Sequence, residues 1–242
     1  MFKGDFMVTL DDVKKNKEVQ SLIMATDKCM RIQGYPNHGI RHIGYVSTTT
    51  ENILRLIGCD ERTAVLGSIA GWLHDIGNSI NRFDHGITGA TMAYGILKDL
   101  GMDYDEINII TASIGSHEET KGNPVNNVSA ALIIADKSDA NRNRLENIKN
   151  TEDLDMHDYV NLAITKNFLE VDKTTKTINL KITMKKSSSI MDYLKIYINR
   201  ILISERAAKF FDYTYVLYIN DVQINNTVLT KKVRHSIEKA EF

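Results

Sequence analysis

The sequence of 242 residues is poor in cysteine and proline, with two of each. Cys29 and Cys59 stand apart and form neither a metal-spaced nor a redox pair, which suits a reducing compartment, and we expect the chain to be cytoplasmic. With only Pro36 and Pro124 to interrupt the chain, long helices are allowed. The same scarcity disfavours a β-sandwich, which needs many proline- and glycine-containing turns.

Long apolar runs and an excess of one charge are absent as well. No run reaches the roughly 18–20 residues that a membrane helix needs. The first residues lack the apolar stretch of a signal peptide, so we expect no membrane partner. The 30 Lys and Arg residues balance 31 Asp and Glu residues, at a net charge of −1. This balance argues against a broad basic face and therefore against electrostatically driven binding of nucleic acid.

Hydrophobic periodicity predicts a mainly α chain, a helical bundle with a small C-terminal α+β appendage. Apolar residues recur at helical spacing over 8–33, 42–57, 60–74, 86–100, 107–117 and 128–135. Apolar and polar residues then alternate over 178–184 and 213–219, with a helix of about 20 residues between them, which predicts a strand–helix–strand unit. We therefore expect a helical domain at 1–170 and the appendage at 171–242.

Histidines and aspartates mark the ends of several predicted helices. His74 and Asp75 stand side by side at the end of an apolar helix, and an imidazole with a carboxylate is a good ligand pair for a divalent transition metal. If the helices converge, four imidazoles and two carboxylates come together, enough for two ions with one bridging carboxylate. The alternative is that each is an ordinary hydrogen-bonded core residue, the commoner role of a single histidine on an apolar helix face. The remaining candidates are His42, His85, His117 and Asp136.

Three segments together resemble the HD superfamily of metal-dependent phosphohydrolases. The segment WLHDIGNS carries His74 and Asp75, HGIRHIGYV carries His42 at 32 positions before His74, and ALIIADKSDANRNR carries Asp136. The resemblance implies that these four residues are the primary metal ligands within a bundle of helices. It covers about residues 35–145, and the run from Asp136 to Arg142 is similar to bacterial members with a strand–helix–strand tail.

Two further segments are similar to those of HD members that bind two metal ions. FDHGITGA carries His85 and IGSHEE carries His117, which implies a dinuclear site bridged by Asp75. The implied cofactors are two divalent ions per chain, iron or manganese first, with zinc, nickel, cobalt or magnesium as alternatives. Members that cleave cyclic dinucleotides usually carry lysine and histidine where this chain has Asn78 and Ser116, a departure from that branch.

The resemblance also suggests how the remaining polar residues would act. A metal-bound water would attack phosphorus with Asp75 in the catalytic centre, and Glu118 and Lys137 are candidate catalytic residues beside it. Glu118 is equally well read as an exposed helix-end residue, and Lys137 as a solvated one. Arg82, Arg142 and Arg144 are candidates for binding a phosphate group of the substrate, and the alternative is that each forms a surface salt bridge. His38 is a further candidate, because it would lie near the pocket.

The expected function is hydrolysis of a phosphoester in a nucleotide or a related small phosphorylated compound. A di-iron oxygenase on the same fold is an alternative, because the ligand set would be the same. A non-catalytic regulator that binds metal or nucleotide is a third hypothesis, against which the full set of six ligands argues. The expected partner is the small phosphorylated substrate, and the apolar helix of the appendage either supports a homodimer or covers its own strands.

Overall fold

The computed structural model describes residues 7–33, 39–140 and 156–225. Within these ranges the chain is mainly helical with one small sheet near its C-terminus, which confirms the predicted fold class. The helices are α1 (Leu10–Lys15), α2 (Lys17–Ile32), α3 (Ile40–Ile57), α4 (Glu61–Leu73), α5 (His85–Asp99), α6 (Tyr104–Gly115), α7 (Asn127–Ser138), α8 (Met156–Ala163) and α9 (Ile190–Phe210). A 3₁₀ turn, Ile76–Ser79, follows α4.

Capping residues explain where the helices that build the site begin and end. Gly58 ends α3 in the left-handed conformation at φ 96°, which glycine adopts without steric cost. Asp60 begins α4, because its carboxylate accepts a hydrogen bond from the backbone N–H of Thr63 at 2.9 Å. Ser189 caps α9 in the same way by accepting from the N–H of Asp192. These ends agree with the helices predicted from the sequence.

Two predicted helix boundaries were wrong. The single helix predicted over 8–33 is two helices, because Asn16 is extended at ψ 124° and its side chain caps α2 by accepting from the N–H groups of Glu18 and Val19. The helix predicted over 107–117 ends at Gly115, so His117 lies just beyond it. Both errors arise where the apolar period continues past a local change of backbone direction.

The sheet has four strands in the order β1 (Ile164–Asp172), β2 (Thr177–Met184), β3 (Thr214–Ile219) and β4 (Val222–Gln223). β1 pairs antiparallel with β2, β2 pairs parallel with β3 through the crossover helix α9, and β3 pairs antiparallel with β4. Helix α8 and strand β1 were not predicted from the sequence. The predicted domain boundary at residue 170 falls inside β1.

Helix α7 occupies the centre of the molecule. Every residue from Val128 to Asp136 is buried, which is typical of a helix that other elements surround. α7 packs against α3, α4 and α6, and also against α9. We call α9 together with the strands β1–β4 the C-terminal unit. The last turn of α7 therefore delivers Asp136 to the interior. Among the described residues, no helix is both long enough and apolar enough to span a membrane.

Candidate metal centre

The six side chains that the sequence singled out as metal ligands come together in the interior. They reach one place from the first turn of α3, the end of α4, the start of α5, the residue pair after α6 and the last turn of α7. None is more than 8% exposed, although all are polar or charged. Burial on this scale requires partners for each group. The six are His42, His74, Asp75, His85, His117 and Asp136.

Four of these residues form a first set of ligand atoms. The Nε2 atom of His42 lies 3.5 Å from Asp136 Oδ1 and 3.6 Å from Asp75 Oδ2. The Nε2 atom of His74 lies 3.3 Å from the same Asp75 oxygen and 3.8 Å from the same Asp136 oxygen. Two nitrogens and two carboxylate oxygens thus surround one point. We call His42, His74, Asp75 and Asp136 the first set.

The other oxygen of Asp75, Oδ1, lies near two further histidines. We call Asp75, His85 and His117 the second set. His85 Nε2 lies 3.4 Å from Asp75 Oδ1 and 3.1 Å from His117 Nε2. Ligand atoms of His74, Asp75 and His117 also lie within 4.8 Å of one another, as do those of His42, His74 and Asp136. Asp75 therefore stands between the two sets with one oxygen toward each. This is the arrangement that the resemblance of the sequence to the HD superfamily implies.

Backbone carbonyl groups fix the orientation of two of the histidine rings. Nδ1 of His74 lies 2.9 Å from the carbonyl oxygen of Gly71, and Nδ1 of His117 lies 2.6 Å from that of Ile114. A carbonyl can only accept, so each Nδ1 donates and the neutral ring presents the lone pair of Nε2 to the centre. The free lone pair is the one that a metal ion needs.

Two further observations indicate that these residues could hold a divalent ion. His74 Nε2 is buried and makes no hydrogen bond within the described residues, although it faces two carboxylates. A cation between these groups would satisfy all of them. In the second set, the 3.1 Å between the Nε2 atoms of His85 and His117 suits a shared ion. Two nitrogens bound to one ion at about 2.1 Å lie roughly 3.0–3.4 Å apart at the usual coordination angles.

The charges of the site shift the pKa values of its residues. Burial raises the pKa of Asp136, but Lys137 and the nearby histidines outweigh it and hold the pKa well below its usual range. Burial lowers the pKa of His85, and burial together with neighbouring His85 and Lys137 lowers that of His117 well below its usual value. Burial also disfavours charge on His74, yet Asp75 and Asp136 raise its pKa. The negative charge that favours a proton there equally favours a metal cation.

Glycine and asparagine hold the segment after His74 against α5. A Cβ atom on Gly77 would lie 2.6 Å from the backbone nitrogen of Gly89, so the 3₁₀ turn and α5 approach as closely as glycine permits. The amide nitrogen of Asn78 donates to Asp75 Oδ1 at 2.9 Å. This bond sets the carboxylate plane, so that each oxygen of Asp75 faces its own set.

Besides Asp75, three of the predicted catalytic and substrate-binding residues lie at the site. Arg82 Nη1 lies 3.0 Å from His85 Nε2, and Lys137 Nζ lies 2.6 Å from Asp136 Oδ2. Glu118 accepts a hydrogen bond from the N–H of Gly86 at 2.9 Å and lies 3.4 Å from His85 Nδ1. Their roles stay predictions. The three remaining candidates, His38, Arg142 and Arg144, lie outside the described residues.

Sequence reasoning missed Asp139. This carboxylate is 1% exposed and accepts a hydrogen bond from Nδ1 of His42 at 2.7 Å. Arg41 makes two further bonds to it, at 3.2 and 2.7 Å. A carboxylate behind a metal-binding histidine fixes the ring and raises its basicity. The available signal was the spacing, since Asp139 follows Asp136 by about one helical turn.

Sequence reasoning also missed Glu119 and Arg200. Glu119 Oε1 lies 3.6 Å from Lys137 Nζ and accepts a bond from Arg200 Nε at 2.9 Å. Lys137 and Arg200 lower the pKa of Glu119 against the effect of burial, which favours the ionised carboxylate. Arg200 belongs to α9, which places a side chain of the C-terminal unit beside the site.

Comparison with known proteins gives weak similarities. No protein-family model matches the chain. An uncharacterized protein of Methanocaldococcus jannaschii is 27% identical over an alignment of 109 residues, and the chain spans 42% of that protein's length. A solved structure, a predicted HD superfamily hydrolase from an uncultured Thermotogales bacterium, is 24% identical with a TM-score of 0.41. The match covers 55% of this chain and 75% of that one.

Proposed function

We propose that the chain is a metal-dependent hydrolase of the HD type that cleaves a phosphoester in a nucleotide or a related small phosphorylated compound. The observation that carries this proposal is the position of Asp75. Its Oδ2 atom lies 3.3 Å from His74 Nε2, while its Oδ1 atom lies 3.4 Å from His85 Nε2. A carboxylate between two histidine sets is suited to bridge two divalent ions, as in phosphatases and nucleases with two metals.

Each ion would have its own ligands besides the shared aspartate. His42, His74 and Asp136 would hold one ion, and His85 and His117 would hold the other. Bound divalent ions lower the pKa of a water molecule and polarise phosphoryl oxygens. Manganese and iron are the ions we propose, because imidazole nitrogen and carboxylate oxygen together suit them.

Charged side chains of the chain itself would bind and orient the substrate. Arg82 brings positive charge to the second set and Lys137 brings it to the first, so a phosphoryl group between them meets a cation on either side. Glu118 is anchored to the backbone of Gly86 and faces His85 Nδ1. This anchoring favours orienting His85 over delivering a proton to the leaving group.

The test is turnover by protein reconstituted with Mn²⁺ or Fe²⁺ on nucleotides, cyclic nucleotides and phosphomonoesters. We expect hydrolysis of at least one of these compounds, with the isotope of labelled water found in the phosphate product because water attacks phosphorus. Asp75→Asn should abolish it. Asp99→Asn removes an exposed carboxylate at the end of α5 and is the matched control, which should keep wild-type activity.

Two other outcomes would contradict the proposal. Metal-dependent consumption of dioxygen without phosphoester cleavage would favour the oxygenase. Stoichiometric metal binding with neither activity across the panel would favour a regulator that binds metal or nucleotide.

A further inference from the structure

A row of alternating charges leads from the first set into the C-terminal unit. Lys137 Nζ lies 2.6 Å from Asp136 Oδ2 and 3.6 Å from Glu119 Oε1. Arg200 Nε, from α9, donates to the same Glu119 oxygen at 2.9 Å. The side chain of Lys137 is 8% exposed, while those of Glu119 and Arg200 are about a quarter exposed, at 28% and 26%. The row therefore begins in the interior and ends near the surface.

The ammonium group of Lys137 stands between two carboxylates and is closer to Asp136. Without a second cation beside it, the carboxylate of Glu119 would attract this ammonium group strongly. Arg200 bonds directly to the Glu119 oxygen that faces Lys137, so it reduces the pull of Glu119 on the ammonium group. The difference between 2.6 Å and 3.6 Å agrees with this effect.

The position of Lys137 matters because it decides which oxygen of Asp136 faces the histidines. Lys137 engages Oδ2, whereas Oδ1 lies 3.5 Å from His42 Nε2 and 3.8 Å from His74 Nε2. With Lys137 in place, Asp136 offers one oxygen to an ion of the first set. Withdrawal of Lys137 toward Glu119 would free the second oxygen and remove a positive charge from the centre.

A second contact from the C-terminal unit reaches the same segment. The side-chain amide of Asn167, on β1, donates to the backbone oxygen of Ser138 at 2.7 Å. α9 also packs along α7. The segment from Asp136 to Asp139 is therefore held by both a strand and a helix of the C-terminal unit.

From these contacts we infer that Arg200 is a positioning residue, which acts through Glu119 to keep Lys137 on Asp136, and that the C-terminal unit is thereby part of the metal centre. The part of this inference that concerns turnover rests on the proposed function. The part that concerns metal affinity does not.

The test is a double-mutant cycle between positions 119 and 200, measured on the full chain. The single variants are Arg200→Met and Glu119→Gln, combined in a third protein. Arg206→Met, an exposed arginine on the same helix, is the control, and Arg200→Lys is the conservative variant. The measurements are Mn²⁺ affinity by calorimetry, kcat and KM for the best phosphoester, and thermal unfolding of the metal-free protein.

For Arg200→Met we expect Mn²⁺ to bind the first set about threefold to tenfold more tightly, because the ammonium group leaves Asp136. We expect kcat to fall about tenfold with a smaller change in KM, since a positioning effect acts on the reacting complex. Arg200→Lys should recover most of both values. In the Glu119→Gln background, Arg200→Met should change neither by more than about twofold, because Glu119 no longer attracts the lysine.

Two results would overturn the inference: equal effects of Arg200→Met in both backgrounds, or an Arg200→Met protein that behaves like Arg206→Met. If Arg200→Met does not fold, Arg200→Gln takes its place in the same cycle. A wild-type chain that cleaves no phosphoester yet shows the coupling in Mn²⁺ affinity would refute the proposed function and leave the positioning role supported.

Discussion

Replacement of Asp139 by alanine should weaken metal binding at one of the two sets. Asp139 accepts a hydrogen bond from His42 Nδ1 at 2.7 Å, and both side chains are 1% exposed. Alanine would remove this acceptor and the negative charge that orients the His42 ring. His85 and His117 do not contact Asp139 in any described bond, so only the first set should be affected.

The size of this effect follows from the kind of bond that is lost. Loss of a charge-assisted partner of a buried group costs about 1.5–3 kcal/mol. Because about 1.4 kcal/mol corresponds to a tenfold change in affinity, the ion should bind about 10–100 times more weakly. Asp139→Asn keeps an acceptor for His42 but loses the charge, and should lie nearer to the lower limit of about tenfold.

Calorimetric titration of the metal-free protein with Mn²⁺ measures these affinities. In Asp139→Ala we expect one of two binding steps to be weakened and the other to be unchanged. Arg41→Met is the matched control, because it removes the guanidinium group from Asp139 and leaves the bond to His42. It should change the affinity by less than about threefold, since the Arg41 side chain is 34% exposed. Wild-type affinity at both steps in Asp139→Ala would refute the reasoning.

Further predictions concern the remaining ligands and the turn after the HD pair. Asp75→Ala should prevent stoichiometric binding of both ions, measured by metal analysis after gel filtration. His85→Ala and His117→Ala should each lose one ion and keep the other, and two retained ions in both variants would contradict the dinuclear site. Gly77→Ala should lower the free energy of unfolding by about 1–3 kcal/mol in chemical denaturation, because its methyl group meets the backbone of α5; an unchanged midpoint would contradict this close approach.

Much of the site could be predicted because its residues follow one another in short motifs. His74 and Asp75 end an apolar helix, and Asp136 ends another, so each is placed by the helix that carries it. Local capping signals likewise gave the limits of α3 and α4. The break at Asn16 escaped prediction, since the apolar period of α1 and α2 continues across it and only a side-chain cap separates the two.

The residues that were missed depend on contacts between distant parts of the chain. Asp139 meets His42 across 97 positions, and Arg200 meets Glu119 across 81. The spacing of Asp139 after Asp136 could indicate a candidate residue, but no spacing within a motif could indicate which distant residue Asp139 or Arg200 contacts. β1 was missed for a different reason: most of its residues are exposed or half-buried, so its sequence lacks the alternation of apolar and polar residues that reveals a strand.

The shared aspartate has a consequence for how the chain would respond to metal supply. If two ions bind as proposed, each takes one oxygen of Asp75, a carboxylate whose plane the hydrogen bond from Asn78 already sets. The first set has three further ligand residues and the second has two, so the first would fill at lower free metal. Chains in a metal-poor cell would then carry a single ion, and turnover would begin only where free metal is high enough to fill the second set.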